Sequence, residues 1–133
     1  MPCPSPELPE KHSMKQESYT GGLQGEQAAE EYLTAKGMTC LARRFRGGDG
    51  EVDLIMEDGE TIVFVEVKAR PKGKEGDGFT AVTPAKQRRI THAAGQYLLS
   101  AQCFGRMIRF DVVEITSRGI NHVSNAFQPA SWA

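Results

Sequence analysis

The period of the apolar positions changes several times along the chain, and each change marks an element. In LQGEQAAEEYLTAKG, Ala29, Tyr32, Leu33 and Lys36 recur at helical spacing and Gly37 follows as a stop, which predicts a helix from Leu23 to Lys36. From Met38 to Arg44 small or apolar residues alternate with others, as in a strand, and the glycine-rich loop Gly47 to Gly50 closes it. EVDLIM and TIVFVEVKA are two β-rich runs, and the Asp58-Gly59 between them predicts a hairpin. Thr83-Pro84 supplies an N-cap and an N1 proline for a second helix with the stripe Ile90, Ala93, Ala94, Tyr97 and Leu98. RMIRFDVVEI predicts another strand, Ser117 to Gly119 a turn, and INHVS a short last strand. The order α, β, β, β, α, β, β describes an α/β domain, a central mixed sheet with a helix on each side.

Two stretches fall outside this pattern. Residues 1–22 hold four prolines and few groups that could be buried, and are expected as a disordered tail, leaving residues 23–133 as one domain. PKGKEGDG, Pro71 to Gly78, is expected as an irregular loop. Composition is that of an ordinary globular domain, with 39% hydrophobic and 25% charged residues in 133. The longest apolar runs are short and the first twenty residues lack an apolar stretch, so no membrane partner or secretory signal is expected and a cytoplasmic address is. Three widely spaced cysteines, Cys3, Cys40 and Cys103, argue against a disulfide framework and against a zinc–cysteine site. A net charge of -1 excludes binding of nucleic acid by bulk charge, so an anionic partner needs a local patch.

The hairpin concentrates the candidate chemistry. With Asp58-Gly59 as its two-residue turn, Asp53 would face Phe64 and Glu51 would face Glu66. One face is then apolar throughout, with Val52, Leu54, Met56, Val63, Val65 and Val67. The other carries Ile55, Ile62 and Phe64 near the turn, and Glu51, Asp53, Glu66 and Lys68 at the open end. Asp53 and Glu66 become diagonal neighbours within reach of one ion. An ion-pair cluster around Lys68 is the competing account, but it leaves three carboxylates to one lysine beneath a helix. On the first helix Glu26 precedes Ala29 and Leu33 by three and seven residues, which puts it on the buried stripe. Glu26, Asp53 and Glu66 read jointly suggest a site for Mg²⁺ or Mn²⁺, since the ligands are oxygens and no histidine is near in sequence. Such a site suits phosphodiester hydrolysis, with Lys68 orienting a water or stabilising developing charge.

These residues resemble a known pattern. GEQAAEEYL, GDGEVDLI, VFVEVKAR, AVTPAKQRRI and RFDVVEI stand in the order of the YraN-like family of small bacterial proteins, within the restriction-endonuclease-like PD-(D/E)xK superfamily and related to Holliday-junction resolvases. The similarity covers Gly25 to Ile115. It implies the αβββαβ core of that superfamily, with Asp53, Glu66 and Lys68 as the catalytic triad and Glu26 as the helical carboxylate of the resolvase relatives. Glu51-Val52-Asp53 lacks the proline of the signature.

Ten of the 16 lysines and arginines lie between Arg43 and Arg89, together with nine acids, so a basic patch requires the fold to separate the signs. Arg43, Arg46, Arg70, Lys72, Lys74, Lys86 and Gln87 are the candidate nucleic-acid contacts, the last two at the positive end of the second helix. Arg88 and Arg89 read at least as well as a solvated face, and Asp111 as a structural partner of Arg109. The expected activity is a Mg²⁺- or Mn²⁺-dependent endonuclease acting on DNA, branched or structured DNA included, with a homodimer suited to cutting two strands. The alternative is an accessory protein that keeps the fold and binds nucleic acid without cleaving it.

Overall fold

The structure, a computed structural model, describes residues 20–70, 81–103 and 105–130, with side chains from residue 24. Helix α1 spans Thr20–Ala35, β1 Thr39–Gly47, β2 Gly50–Asp58, β3 Thr61–Ala69, α2 Pro84–Ser100, β4 Met107–Thr116 and β5 Gly119–Phe127. The element order is the expected one. Helix α1 starts at Thr20, inside the segment assigned to the tail, while residues 1–19 and the loop Pro71 to Gly78 lie outside the described residues. The last strand is longer than INHVS, because its backbone pairs with β4 from Thr116↔Gly119 to Phe110↔Phe127.

Among the described residues the strands form one sheet in the order β1-β2-β3-β4-β5. Neighbouring strands run antiparallel except β3 and β4, which are parallel. A parallel pair needs a long crossover, and α2 lies on that connection. Each face of the sheet buries one apolar cluster. Ala29 and Leu33 of α1 pack with Leu54, Met56, Val63, Val65 and Val113. On the other face Ile90, Ala94 and Tyr97 of α2 pack with Ile55, Ile62, Phe64, Phe110 and Val112. Both helices are therefore held by the sheet, and the mixed sheet between them matches the expected restriction-endonuclease-like core.

Local chemistry explains the helix ends. At the C-terminus of α1, Gly37 takes φ 102°, Gly37 N–H bonds to Thr34 O at 2.9 Å and Met38 N–H to Leu33 O at 3.2 Å. That is a Schellman closure, completed by Met38 and Leu33 in one apolar cluster. At the start of α2, Thr83 Oγ1 accepts from Lys86 N–H at 3.3 Å and Pro84 occupies the first turn, as the sequence predicts.

Two expectations for the hairpin are corrected. Asp58 pairs with Thr61 and Ile55 with Phe64, so the turn residues are Gly59-Glu60, not Asp58-Gly59. Gly59 has φ 61° and sits first in the turn, where the positive φ is required. A shift of two residues keeps every side chain on its face and brings Asp53 to the level of Glu66 instead of Phe64. Val52, expected beside Leu54, packs on the α2 side with Phe45. The change of face coincides with Arg44 on the neighbouring strand, whose φ of 50° falls between the pairs Arg43↔Leu54 and Phe45↔Val52.

Asp111 is structural, as expected. It is fully buried and accepts from Arg109 Nε at 3.0 Å, from Asn125 N–H at 2.9 Å and from His122 Nε2 at 2.7 Å. Burial works against its charge, but His122, Arg109 and the Asn125 N–H outweigh burial and hold its carboxyl below the usual range. Cys40 is a half-buried free thiol pushed up to about 11 by burial and by Glu30, so it is no nucleophile at neutral pH. No helix among the described residues is long and apolar enough to cross a membrane.

Candidate functional site

The β2–β3 ladder runs from Asp58↔Thr61 to Leu54↔Val65, where its recorded pairing ends. Beyond that point Val67 N–H donates to Asp53 Oδ2 at 2.8 Å, so a carboxylate takes a backbone donor of the neighbouring strand. Glu66, on the same face as Phe64, is only 4% exposed. Two ammonium groups reach it, Lys86 Nζ from the first turn of α2 at 2.8 Å and Lys68 Nζ from its own strand at 3.4 Å. A buried carboxylate needs such partners.

Charge in this corner is tightly constrained. Burial, the adjacent Glu66 and the nearby Glu26 push Asp53 up to about 8 against the opposing Val67 N–H. Burial lowers Lys68, and the neighbouring Lys86 lowers it further against the pull of Glu66. Lys86 is raised: burial opposes its charge, but the bond to Glu66 and the charges of Glu66 and Asp53 prevail.

A cleft of about 480 Å³ opens over these groups, lined by Asp53, Glu66, Glu51, Asp49, Lys86, Arg46, Arg89, Gly48, Gly50 and Ile90. One wall is the β1–β2 turn, docked on α2. Asp49 Oδ1 stands 3.0 Å from His92 Nδ1, and a Cβ on Gly50 would run into the carbonyl oxygen of Arg89. Glycine at position 50 is what allows the turn to lie against the helix.

Other candidates are placed differently. Glu26 sits on α1 and is bound by Arg44, with Nε 2.8 Å from Oε1. Burial raises its carboxyl, helped by Glu51 and Glu66 and opposed by Arg44. Among the described residues no group of three or more His, Cys, Asp or Glu side chains is poised around one metal position. Asp53 and Glu66 are together; Glu26 is drawn aside. Arg43, expected at the nucleic acid, makes a bidentate pair with Glu30 at 2.7 and 2.8 Å and ties β1 to α1. Gln87 Nε2 donates to Val82 O at 3.0 Å and so braces the segment before α2. Arg46 lines the cleft, Arg70 is exposed at the end of β3, and Lys72 and Lys74 lie outside the described residues.

Sequence reasoning missed several residues of this region. Arg89, read as a solvated face, borders the cleft. Arg44 holds Glu26 because its left-handed backbone turns it, with Arg43, toward α1, and an arginine carries no local signal for that conformation. Glu114, 1% exposed and in register with Lys68, was legible in the alternation Phe110, Val112, Glu114 along β4.

Residues 25–115 match the family described as uncharacterised protein family UPF0102. The chain belongs to the UPF0102 family. A UPF0102 protein of Nitrosococcus oceani is 47% identical over 97 residues, which cover 72% of this chain and 78% of that protein. One from Persephonella marina is 42% identical over 112 residues, 83% of this chain and 95% of the relative. The UPF0102 protein STH1475 of Symbiobacterium thermophilum reaches 49% over 94 residues, 71% and 80% of the two chains. UPF0102 is the YraN group of the restriction-endonuclease-like superfamily, the group that the motifs resemble. The matched segment contains Glu26, Asp53, Glu66, Lys68 and Lys86.

In this UPF0102 chain the donor set fits a hard divalent cation. Asp53 and Glu66 are two adjacent oxygen donors, and Asp53, pushed up to about 8, takes a proton near neutral pH. Mg²⁺ is commonly held by one or two carboxylates with water and substrate phosphate supplying the rest, which is what an open cleft beside two carboxylates allows.

Proposed function

We propose that this protein is a Mg²⁺- or Mn²⁺-dependent nuclease that hydrolyses phosphodiester bonds in DNA, including branched or structured DNA. The observation that carries the reading is the corner of Asp53, Glu66 and Lys68 beneath a cleft whose rim holds Lys86, Arg46 and Arg89. Asp53 and Glu66 would hold the ion, and Glu26 could join them on release from Arg44. When bound, the ion supplies charge for the phosphate and a lowered pKa for a water. Lys68, anchored on Glu66 beneath the cleft, would supply an ammonium toward the negative charge that develops on the phosphate. Arg46 and Arg89, which line the cleft, would serve as positioning charges for the nucleic-acid backbone. Burial of Glu66 keeps that carboxylate away from bulk water, which strengthens its effect on the neighbouring groups.

The accessory-protein reading is favoured by one observation, the engagement of Glu26 and Glu66 by arginine and lysines. Incubation with Mg²⁺ or Mn²⁺ against linear, single-stranded, flap and four-way-junction DNA decides between them, with Asp53→Asn as control. Metal-dependent cleavage that Asp53→Asn abolishes is the expected result. Binding of DNA without cleavage by either protein would establish the accessory role instead.

A further inference from the structure

Glu66 has two ammonium partners, and they are not equivalent. Lys68 lies two residues along the same strand on the same face, is 17% exposed and does not line the cleft. Lys86 comes from α2, is 33% exposed, lines the cleft and makes the shorter contact, 2.8 Å against 3.4 Å. Its backbone N–H is held by the Thr83 cap, so its side chain can leave Glu66 through its own rotamers while the helix stays in place. Charge sets the constraint. Asp53, Glu66, Lys68 and Lys86 balance when Asp53 is ionised and carry one positive charge when it is protonated, and a divalent ion on the ionised Asp53 and Glu66 would leave an excess of two positive charges among these groups in a partly desolvated place.

We propose, on the metal-dependent reading above, that Lys86 is an exchangeable counter-cation: it occupies Glu66 in the metal-free protein, leaves as the divalent ion binds, and passes to the phosphodiester in the cleft. Lys86 is then a positioning residue that couples ion binding to substrate binding. Its new partner is a phosphate oxygen, because the cleft that Lys86 lines also carries Arg46 and Arg89, which favour an anion there. Linkage requires reciprocity: whatever draws Lys86 from Glu66 strengthens ion binding, and the ion in turn strengthens phosphate binding.

The test uses the full chain and Mn²⁺ alone as probe, at pH 8.0. Mn²⁺ affinity is read from the EPR signal of the free ion in the parent, Lys86→Met and Lys86→Arg, and lysine exposure by acetylation and mass spectrometry of the parent with and without Mn²⁺. Removing an occupant that fills the site most of the time is expected to tighten Mn²⁺ binding by about tenfold in Lys86→Met, with Lys86→Arg near the parent. Acetylation of Lys86 in the parent should rise several-fold on adding Mn²⁺ while that of Lys68 does not. Mn²⁺ binding to the parent with no rise in Lys86 acetylation would overturn the exchange and leave the metal site standing. Equal or weaker binding by Lys86→Met would overturn it too. No Mn²⁺ binding by any of the three proteins would overturn the metal-dependent reading and the exchange with it.

Discussion

Near neutral pH a proton on Asp53 relieves the repulsion between that carboxylate and Glu66, and this has a measurable cost. The folded-state value of about 8 lies above the roughly 3.9 of an unfolded aspartate, so the folded chain binds the extra proton between those limits. Stability of the metal-free protein therefore falls as pH rises from about 4 to about 8, as far as Asp53 contributes. Asp53→Asn keeps an oxygen for Val67 N–H and removes the charge. In chelator it is expected to raise stability by about 1 to 3 kcal/mol at pH 8 and to flatten the slope below it, checked by thermal unfolding across pH. Millimolar Mg²⁺ should stabilise the parent by roughly 1 to 3 kcal/mol at tens to a hundred times the dissociation constant, and the mutant much less. An aspartate that served only as an ion-pair partner would show the opposite sign in chelator. Lys68→Ala is expected to lower cleavage by about a hundredfold with metal binding retained, as single-turnover rates and Mn²⁺ titration would show. Asp53, Glu66 and Lys68 were legible from alternation because a strand puts every second residue on one face; their electrostatics depend on burial, which alternation alone does not give.

At the level of elements, the β1–β2 turn and α2 form the wall of the cleft, and their contact allows no extra atom at residue 50. Gly50→Ala is expected to destabilise the protein by about 1 to 3 kcal/mol and to move the turn from the helix, because the obstruction is the backbone carbonyl of Arg89. Urea denaturation measures the first effect, and loss of the Asp49–His92 contact, followed by the His92 ring signals in NMR, the second. Thr83→Ala should cost less, about 1 kcal/mol, since it removes one cap and no packing. Both helices, their caps and the hairpin were legible because they rest on local chemistry: Gly37, Thr83-Pro84 and Gly59 each act within a few residues. The turn was misplaced by one residue, as Asp58-Gly59 and Gly59-Glu60 both offer glycine to a two-residue turn and only the positive φ requirement at its first position separates them. The left-handed Arg44 left no such trace.

Across the whole molecule a net charge of -1 comes with both signs on the cleft, where Arg46, Arg89 and Lys86 stand among Asp49, Glu51, Asp53 and Glu66, while Arg43 and Arg44 are turned to the acids of α1. Replacing Arg46 and Arg89 together by Ala is expected to weaken DNA binding uniformly across sequences and to reduce the slope of log affinity against log salt by about two, read by fluorescence anisotropy at several ionic strengths. Substituting Arg43 should leave that slope unchanged and instead loosen β1 from α1. The chain's apolar periods, caps and glycines by themselves determined the order of elements, the mixed sheet between two helices, and the strand face that carries Asp53, Glu66 and Lys68. Only the tertiary structure decided which charges meet. Glu66 takes Lys86 from twenty residues away, Glu26 turns to Arg44, and Arg43 leaves the proposed DNA surface for Glu30. The physical reason is range: periodicity and capping act over a few residues, whereas ion pairing follows distances through space that exist only once β1, β3 and the two helices are packed together.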